Sequence, residues 1–265
     1  MTIESKAPLP DMTVLAPLPD MTVLAPVRDA VDAEHEGRGA VARGAEVLRR
    51  GVVTGLLRPG ARLPEERLAA VLGISRNSLR AAFDEIEQEH LVERERHRGI
   101  RVCLPDEATV HQLYRARLAL EGAALRWPEA GTRHRAVEQM SAAVETGRWA
   151  RNAGQVAAMA EANDAFHRAV VSLSGSLRQL ELMKRVQSEL RLLFHTLDDT
   201  PAFHQPWVER NAALVDLVAQ ERDAEATDRI GAYLRDSRGM ILELWGRSSC
   251  NRPSPASGRP SGSCS

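Results

Sequence analysis

Apolar residues recur at helical spacing over Leu68, Ala69, Val71 and Leu72, stop at Gly73, and resume at Leu79, Phe83 and Ile86. Glycine accepts the left-handed backbone that ends a helix, so Gly73 predicts a break, with Ile74 turned into the core. Ser75 follows as an N-cap, its hydroxyl placed to accept from the unpaired N–H groups of the next turn. The second helix therefore starts with Arg76, Asn77, Ser78 and Arg80 on its open side and keeps its apolar positions inward. Two short alternating runs come next, Leu91-Val92-Glu93 and Ile100-Arg101-Val102, and they predict a β-hairpin. Its tip carries Arg94, Arg96, His97 and Arg98, and Gly99 leaves the backbone free to pass close to another surface.

Upstream, Val41, Ala45, Leu48, Val52 and Leu56 predict one helix over about 41–57, ended by Arg58-Pro59-Gly60. Downstream of Pro105 the periodicity predicts helices over roughly 106–126, 132–150, 154–174, 177–197, 205–221 and 223–245. Breaks fall at Trp127-Pro128, Gly175 and Thr200-Pro201. The segment APLPDMTVL of residues 7–15 recurs as residues 16–24, and prolines at 8, 10, 17, 19 and 26 oppose helix continuation. Residues 1–38 are accordingly expected to be a disordered leader, the product of a tandem duplication or an early start, or else a proline motif for a partner. A Ser-, Pro- and Gly-rich tail, residues 247–265, is expected to be unstructured as well.

Helix, glycine break, capped cationic helix and charged hairpin, in that order, predict a winged helix-turn-helix that reads DNA. A plain helical hairpin followed by a charged loop would not need the cap and the arginines at these places. Long cationic forks at a helix N-terminus suit base edges and phosphate alike. The chain's net charge of −1 excludes a protein that coats nucleic acid, but the charge is uneven. Residues 41–102 hold twelve arginines against nine carboxylates, a modest local footprint. Hydrophobic content of 43% supports one or two buried cores, and three cysteines without metal-ligand spacing fit a reducing cytoplasm. No apolar stretch is long enough for a membrane span, and no signal peptide is recognisable.

The run GLLRPGARLPEERLAAVLGISRNSLRAAFDEIEQEHLVERERHRGIRV resembles the N-terminal domain of the GntR family of bacterial transcription regulators. Where the family usually has Pro-Val-Arg-Glu-Ala-Leu, this chain has Ser78-Leu79-Arg80-Ala81-Ala82-Phe83. By that resemblance Arg76 and Arg80 match base- and phosphate-contacting arginines, and Arg98-Gly99 match a wing tip that enters the minor groove. Glu66 stands at a contact position that is often Arg.

The pieces LYRARLALEGAAL (113–125) and NDAFHRAVVSLSG (163–175) resemble the FCD sensor domain of the FadR-type members. The implied fold is mainly α, a winged helix-turn-helix of three helices plus a hairpin wing (39–104) before an all-α helical-bundle domain (105–246). The resemblance further implies a homodimer on double-stranded operator DNA, with a small carboxylate or acyl effector in the sensor, frequently around a divalent metal. The family's aspartate and three histidine ligands correspond here to Asn163, His167, Asn211 and Tyr233. Carboxamides and a protonated phenol are weak ligands, so no metal cofactor is expected. These four side chains form either a neutral floor for an organic ligand or a polar core that has lost its ligand. Arg117 is a candidate for a ligand carboxylate, or an i,i+4 partner of Glu121.

His111, His195 and His204 have no joint ligand spacing, and Trp149, Trp207 and Trp245 are expected in packing. Phosphate-binding, dinucleotide, nucleophile-elbow and HExxH motifs are all missing, so the chain is not expected to be an enzyme. The reading is a cytoplasmic regulator, more naturally a repressor. The alternatives are a C-terminal domain that only dimerises and, more remotely, an enzyme on a helical scaffold.

Overall fold

The computed structural model describes residues 20–34, 37, 39–96, 98–197 and 203–250, the last four of these in backbone only. The N-terminal unit contains α1 (Ala25–Glu34), α2 (Ala40–Val53), β1 (Arg62–Leu63), α3 (Glu65–Leu72), α4 (Arg76–Glu87), β2 (Val92–Glu95) and β3 (Gly99–Val102). The C-terminal unit is all helix: α5 (Glu107–Arg126), α6 (Arg133–Asn152), α7 (Val156–Ser172), α8 (Leu177–Phe194), α9 (Trp207–Ala219) and α10 (Asp223–Cys250).

The predicted breaks have clear local causes. Gly73 takes φ +63° and its N–H turns back to the carbonyls of Ala69 and Ala70, which closes α3. The Ser75 hydroxyl accepts from the Ser78 N–H at 3.1 Å and opens α4. Ile74, between them, presses against α2 at Gly44, where a Cβ would lie 2.8 Å from its Cδ1. Asp106 and Thr109 cap α5 reciprocally.

The three strands form an antiparallel sheet in the order β1-β3-β2, with Leu63 opposite Ile100 and Val92 opposite Val102. The hairpin matches the prediction. Strand β1 does not, because two residues are too few to show alternation and only their pairing with β3 defines them.

Two expectations about the termini need correction. The leader was expected to be disordered through residue 38, yet Met21–Leu24 form a 3-10 turn and Ala25–Glu34 a helix. Met21, Leu24 and Val31 are buried in the winged-helix core, and Pro26 sits in the first turn of α1, where its missing N–H costs no hydrogen bond. Leu24 approaches α2 so closely that a Cβ on Gly51 would meet its Cδ2 at 2.7 Å. Arg28 donates to the Val71 carbonyl at 2.7 Å, and Arg43 pairs with Asp32 at 2.9 Å. Residues 1–19, including the first repeat copy, lie outside the described residues. At the other end α10 continues to Cys250, so residues 247–250 of the expected tail are helical; 251–265 lie outside the described residues.

Each unit has its own core. Leu48, Leu68, Leu79, Phe83, Ile86 and Ile100 anchor the first; Met140, Phe166, Leu193, Trp207, Ile230 and Tyr233 are central to the second. Helix α8 joins them. Its Leu192 is buried within the winged-helix core, and one turn later His195 Nε2 donates to the Val53 carbonyl at 2.9 Å. The ring passes over Gly55, which has φ +78° and no room for a side chain. A cavity of about 280 Å³ opens beside this contact, lined by Val53, Thr54, Ala157, Phe194 and His195 among others.

Replacing Leu24 by Ala removes packing from a fully buried site. It is expected to lower unfolding stability by about 2–5 kcal/mol, read as a lower denaturation midpoint in urea. An unchanged midpoint would mean that the N-terminal segment is not part of the folded core.

Candidate functional site

The N-terminus of α4 is the exposed end of the helix-turn-helix. Ser75, Arg76, Asn77 and Arg80 are exposed and Ser78 is half-buried, its Oγ 2.9 Å from that of Ser75. Leu79, Ala82, Phe83 and Ile86 are buried on the opposite side, so the polar residues project along one face. Two carboxylates from the first turn of α3 meet the arginines: Arg76 Nη2 reaches Glu66 Oε1 at 2.7 Å and Arg80 Nε reaches Glu65 Oε2 at 2.8 Å.

The hairpin carries the second predicted element. Arg98 and Gly99 are exposed at its turn, where Arg98 N–H donates to Glu95 O at 3.0 Å and Gly99 has φ +85°. Arg94 does not belong with the tip, because its guanidinium folds back onto α4, bonding Glu87 at 3.0 Å and Asp84. Glu87 is the larger cause of its raised pKa. Arg101 is likewise held within the sheet by Glu93 and Glu95, at 2.8 and 3.0 Å. His97 lies outside the described residues.

A second polar constellation lies in the middle of the C-terminal unit, and it brings together the five ligand-binding candidates read from sequence, Arg117, Asn163, His167, Asn211 and Tyr233. Arg117 Nε donates to Glu121 Oε1 at 2.8 Å, and Glu121 Oε2 lies 2.7 Å from His167 Nδ1. His167 Nε2 is 3.3 Å from the Tyr233 hydroxyl, which also faces Asn163 Oδ1 at 3.2 Å; Asn211 Nδ2 donates to the same oxygen at 3.1 Å. Arg117, Glu121, His167, Asn211 and Tyr233 are all buried.

Burial alone would neutralise the acid and the guanidinium. Their mutual attraction outweighs it: Arg117, helped by a hydrogen bond from His167, holds Glu121 below the usual carboxylate range, and Glu121, ahead of the tyrosines, raises Arg117. Burial also lowers the His167 pKa, against the pull of Glu121. The imidazole is thus neutral, and Nδ1–H donates to the ionised carboxylate. The Tyr233 hydroxyl then has one proton for two acceptors, His167 Nε2 and Asn163 Oδ1. Among the described residues Arg117 Nη2 and Asn211 Oδ1 have no partner at all. A cavity between Asn163, Asn211, His204 and Val208 is about 10 Å³, the space of a single water.

Residues 42–102 match the bacterial regulatory proteins of the gntR family, and residues 112–236 match the FCD domain. A transcriptional regulator of the GntR type from Rhodococcus sp. RHA1 is 31% identical and superimposes with a TM-score of 0.69 over 77% of this chain and 97% of its own. The chain belongs to the GntR family. A protein of Paenarthrobacter nicotinovorans named as a probable D-xylose utilization operon transcriptional repressor is 29% identical over 69% of this chain and 82% of its own. An uncharacterized HTH-type transcriptional regulator of Agrobacterium vitis is 27% identical over 51% of this chain and 80% of its own. Regulators of this family act by binding DNA, so this GntR protein is a DNA-binding transcription regulator and not an enzyme. Among the described residues no helix is long and apolar enough to cross a membrane.

The family's metal set does not fit the polar constellation. Asn163 Oδ1 already faces two donors, and both nitrogens of His167 are engaged. Among the described residues no three His, Cys, Asp or Glu side chains converge. Glu121, read from sequence only as a helix partner of Arg117, is the residue that ties the network together. The signal was its place on the buried stripe of Val110, Leu113, Tyr114 and Arg117, where an unpaired carboxylate would be costly. Glu65 gave no signal of its own, since its partner Arg80 lies on another helix.

His204 packs between Phe194 and Phe203, at ring separations of 5.0 and 5.1 Å, and its Nδ1 has no partner among the described residues. Burial first, and Arg191 second, depress its pKa from 6.5 to about 4. Below pH 6.5 the unfolded chain therefore takes up a proton that the folded chain refuses. Stability is unaffected above pH 6.5 and falls as the pH drops toward 4, by about 3 kcal/mol in total from this residue. A His204→Phe variant should lose correspondingly less stability than wild type between pH 6.5 and 4.5 in thermal melts. Parallel losses in the two proteins would show that His204 is not the group responsible.

Proposed function

We propose that this GntR regulator acts in the cytoplasm as a homodimeric repressor on double-stranded operator DNA. Ser75, Arg76, Asn77, Ser78 and Arg80 would contact the major groove, with Arg98-Gly99 at the flanking minor groove. The single observation that carries this reading is the capped N-terminus of α4, which aims two exposed arginines outward from a rigid core. Dimerisation supplies what one such face lacks. Two winged helices fixed together bind two half-sites, the second at a high effective concentration. The repressor role is supported by the name of the Paenarthrobacter relative.

In the same reading a small carboxylate or acyl effector is held by Arg117, Asn163, His167, Asn211 and Tyr233. Its support is the unmet hydrogen-bonding capacity at Arg117 Nη2 and Asn211 Oδ1, since buried polar atoms without partners are costly and a ligand carboxylate would satisfy the guanidinium. Helix α8 packs on α7, which carries Asn163 and His167, and reaches the winged helix through Leu192 and His195, so a shift in the network has a route to the DNA-reading face. A second reading, in which the C-terminal domain only dimerises, is favoured by the small cavity, because any effector would have to open the core to enter.

Arg76→Ala and Arg80→Ala should each weaken binding to the genomic operator in a gel-shift assay, by about 1–3 kcal/mol for each base that is no longer read. Normal binding by both variants would refute the assignment of the reading face. To separate the two readings of the C-terminal domain, a thermal-shift series with short carboxylates and acyl-CoA esters is suitable. A ligand at 100 times its dissociation constant adds about 2.7 kcal/mol and should release the DNA in the same concentration range. No shift with any member of the series would leave the dimerisation scaffold standing.

A further inference from the structure

We propose that Glu66 is a specificity-determining residue, selecting a cytosine beside the guanine read by Arg76 and holding down binding to DNA of other sequence. This rests on the DNA-reading role of α4 argued above. Glu66 is the second residue of α3 and Arg76 the first of α4. Their side chains meet at 2.7 Å while remaining 83% and 61% exposed. An ion pair so open to water contributes little to folding. Its position matters more, because it lies at the end of the helix that would enter the groove.

Arg76 has five N–H donors and Glu66 takes one of them, at Nη2, so the guanidinium keeps enough of its fork for guanine O6 and N7. The Glu66 carboxylate has unused acceptor capacity, and in a groove stripped of water it needs a donor. Cytosine N4 provides one with no acceptor beside it, whereas adenine sets its N7 acceptor next to the N6 amino group. Guanine O6 and N7 and thymine O4 are acceptors and would face the carboxylate with like partial charge. Because the two side chains touch, their targets must also be neighbours, as cytosine N4 and guanine O6 are on adjacent base pairs of one step. An Arg–Glu couple therefore presents donors and an acceptor together, a pattern that a bare arginine lacks.

The same carboxylate acts on the phosphates. Glu66 and Glu65 offset the charges of Arg76 and Arg80 at the tip of the reading face. Non-specific affinity comes from neutralising phosphates, so this offset lowers it for every sequence. Only a site that gives Glu66 its donor recovers the loss, and the ratio of specific to non-specific binding rises.

The test is selection from a random-duplex library, read by sequencing, with the full-length wild type, Glu66→Ala and Glu66→Gln. The wild type should enrich half-sites with a fixed cytosine next to a fixed guanine. In Glu66→Ala the guanine should persist and the cytosine position become degenerate, with discrimination there falling from between about 5- and 150-fold to none. Glu66→Gln keeps an acceptor and adds a donor, so the position should broaden first to adenine, whose N6 and N7 a carboxamide meets together, and then to guanine and thymine. Both variants lose the negative charge and should bind random-sequence duplex severalfold more tightly at low salt. Thermal melts should be unchanged, since the side chain is exposed. Wild-type consensus and wild-type non-specific affinity in both variants would overturn the role of Glu66 alone. Failure of the wild type to enrich any sequence would overturn the DNA-reading assignment with it.

Discussion

The three residues Gly73, Ile74 and Ser75 constrain everything at the DNA-reading end of the molecule. A left-handed glycine stops α3, an isoleucine pins the turn beneath α2, and a serine opens α4 in a new direction. Without the glycine the chain would continue one helix, and Arg76 and Arg80 would not share an exposed end. The pin depends on another small residue, Gly44, which gives up a side chain so that Ile74 can approach. The N-terminal segment reinforces the same core two turns further along the same face of α2, with Leu24 set over Gly51. Small residues in α2 thus decide how closely its neighbours pack, and hence how firmly α4 is held.

Charges play opposite parts in the two halves of this protein. At the start of α4 the ion pairs of Arg76 and Arg80 remain open to water and contribute little to folding. In the C-terminal domain Arg117 and Glu121 are removed from water, and each is tolerable only because of the other. Removing one would strand the second. A neutral His167 completes this arrangement, held in one tautomer by the ionised acid beside it.

Helix α8 belongs physically to both halves. Leu190 and Leu193 are buried in the C-terminal core while Leu192 is buried in the winged-helix core. The Arg191 guanidinium binds Asp164 of α7 at 2.6 Å, three residues from His167 in the chain. Helix α8 thus joins Asp164 of α7 to the contact between His195 and Val53.

Local signals in the sequence determined the order of the helices, the break at Gly73, the capped cationic start of α4 and the hairpin, because caps, glycines and periodicity act over a few residues. Resemblance to the FCD domain singled out Asn163, His167, Asn211 and Tyr233, and the helix face of α5 singled out Arg117; the fold gathers all five into one network. Pairings distant in the chain were beyond the reach of local signals. Strand β1 exists only through β3, Glu65 and Glu66 acquire their meaning from arginines of another helix, and Glu121 from a histidine 46 positions away. The N-terminal segment is the clearest case, since proline content predicted disorder where the tertiary structure buries Met21, Leu24 and Val31. A short segment with weak helix propensity is ordered by the apolar surface it covers, and that surface is created only when the rest of the chain has folded.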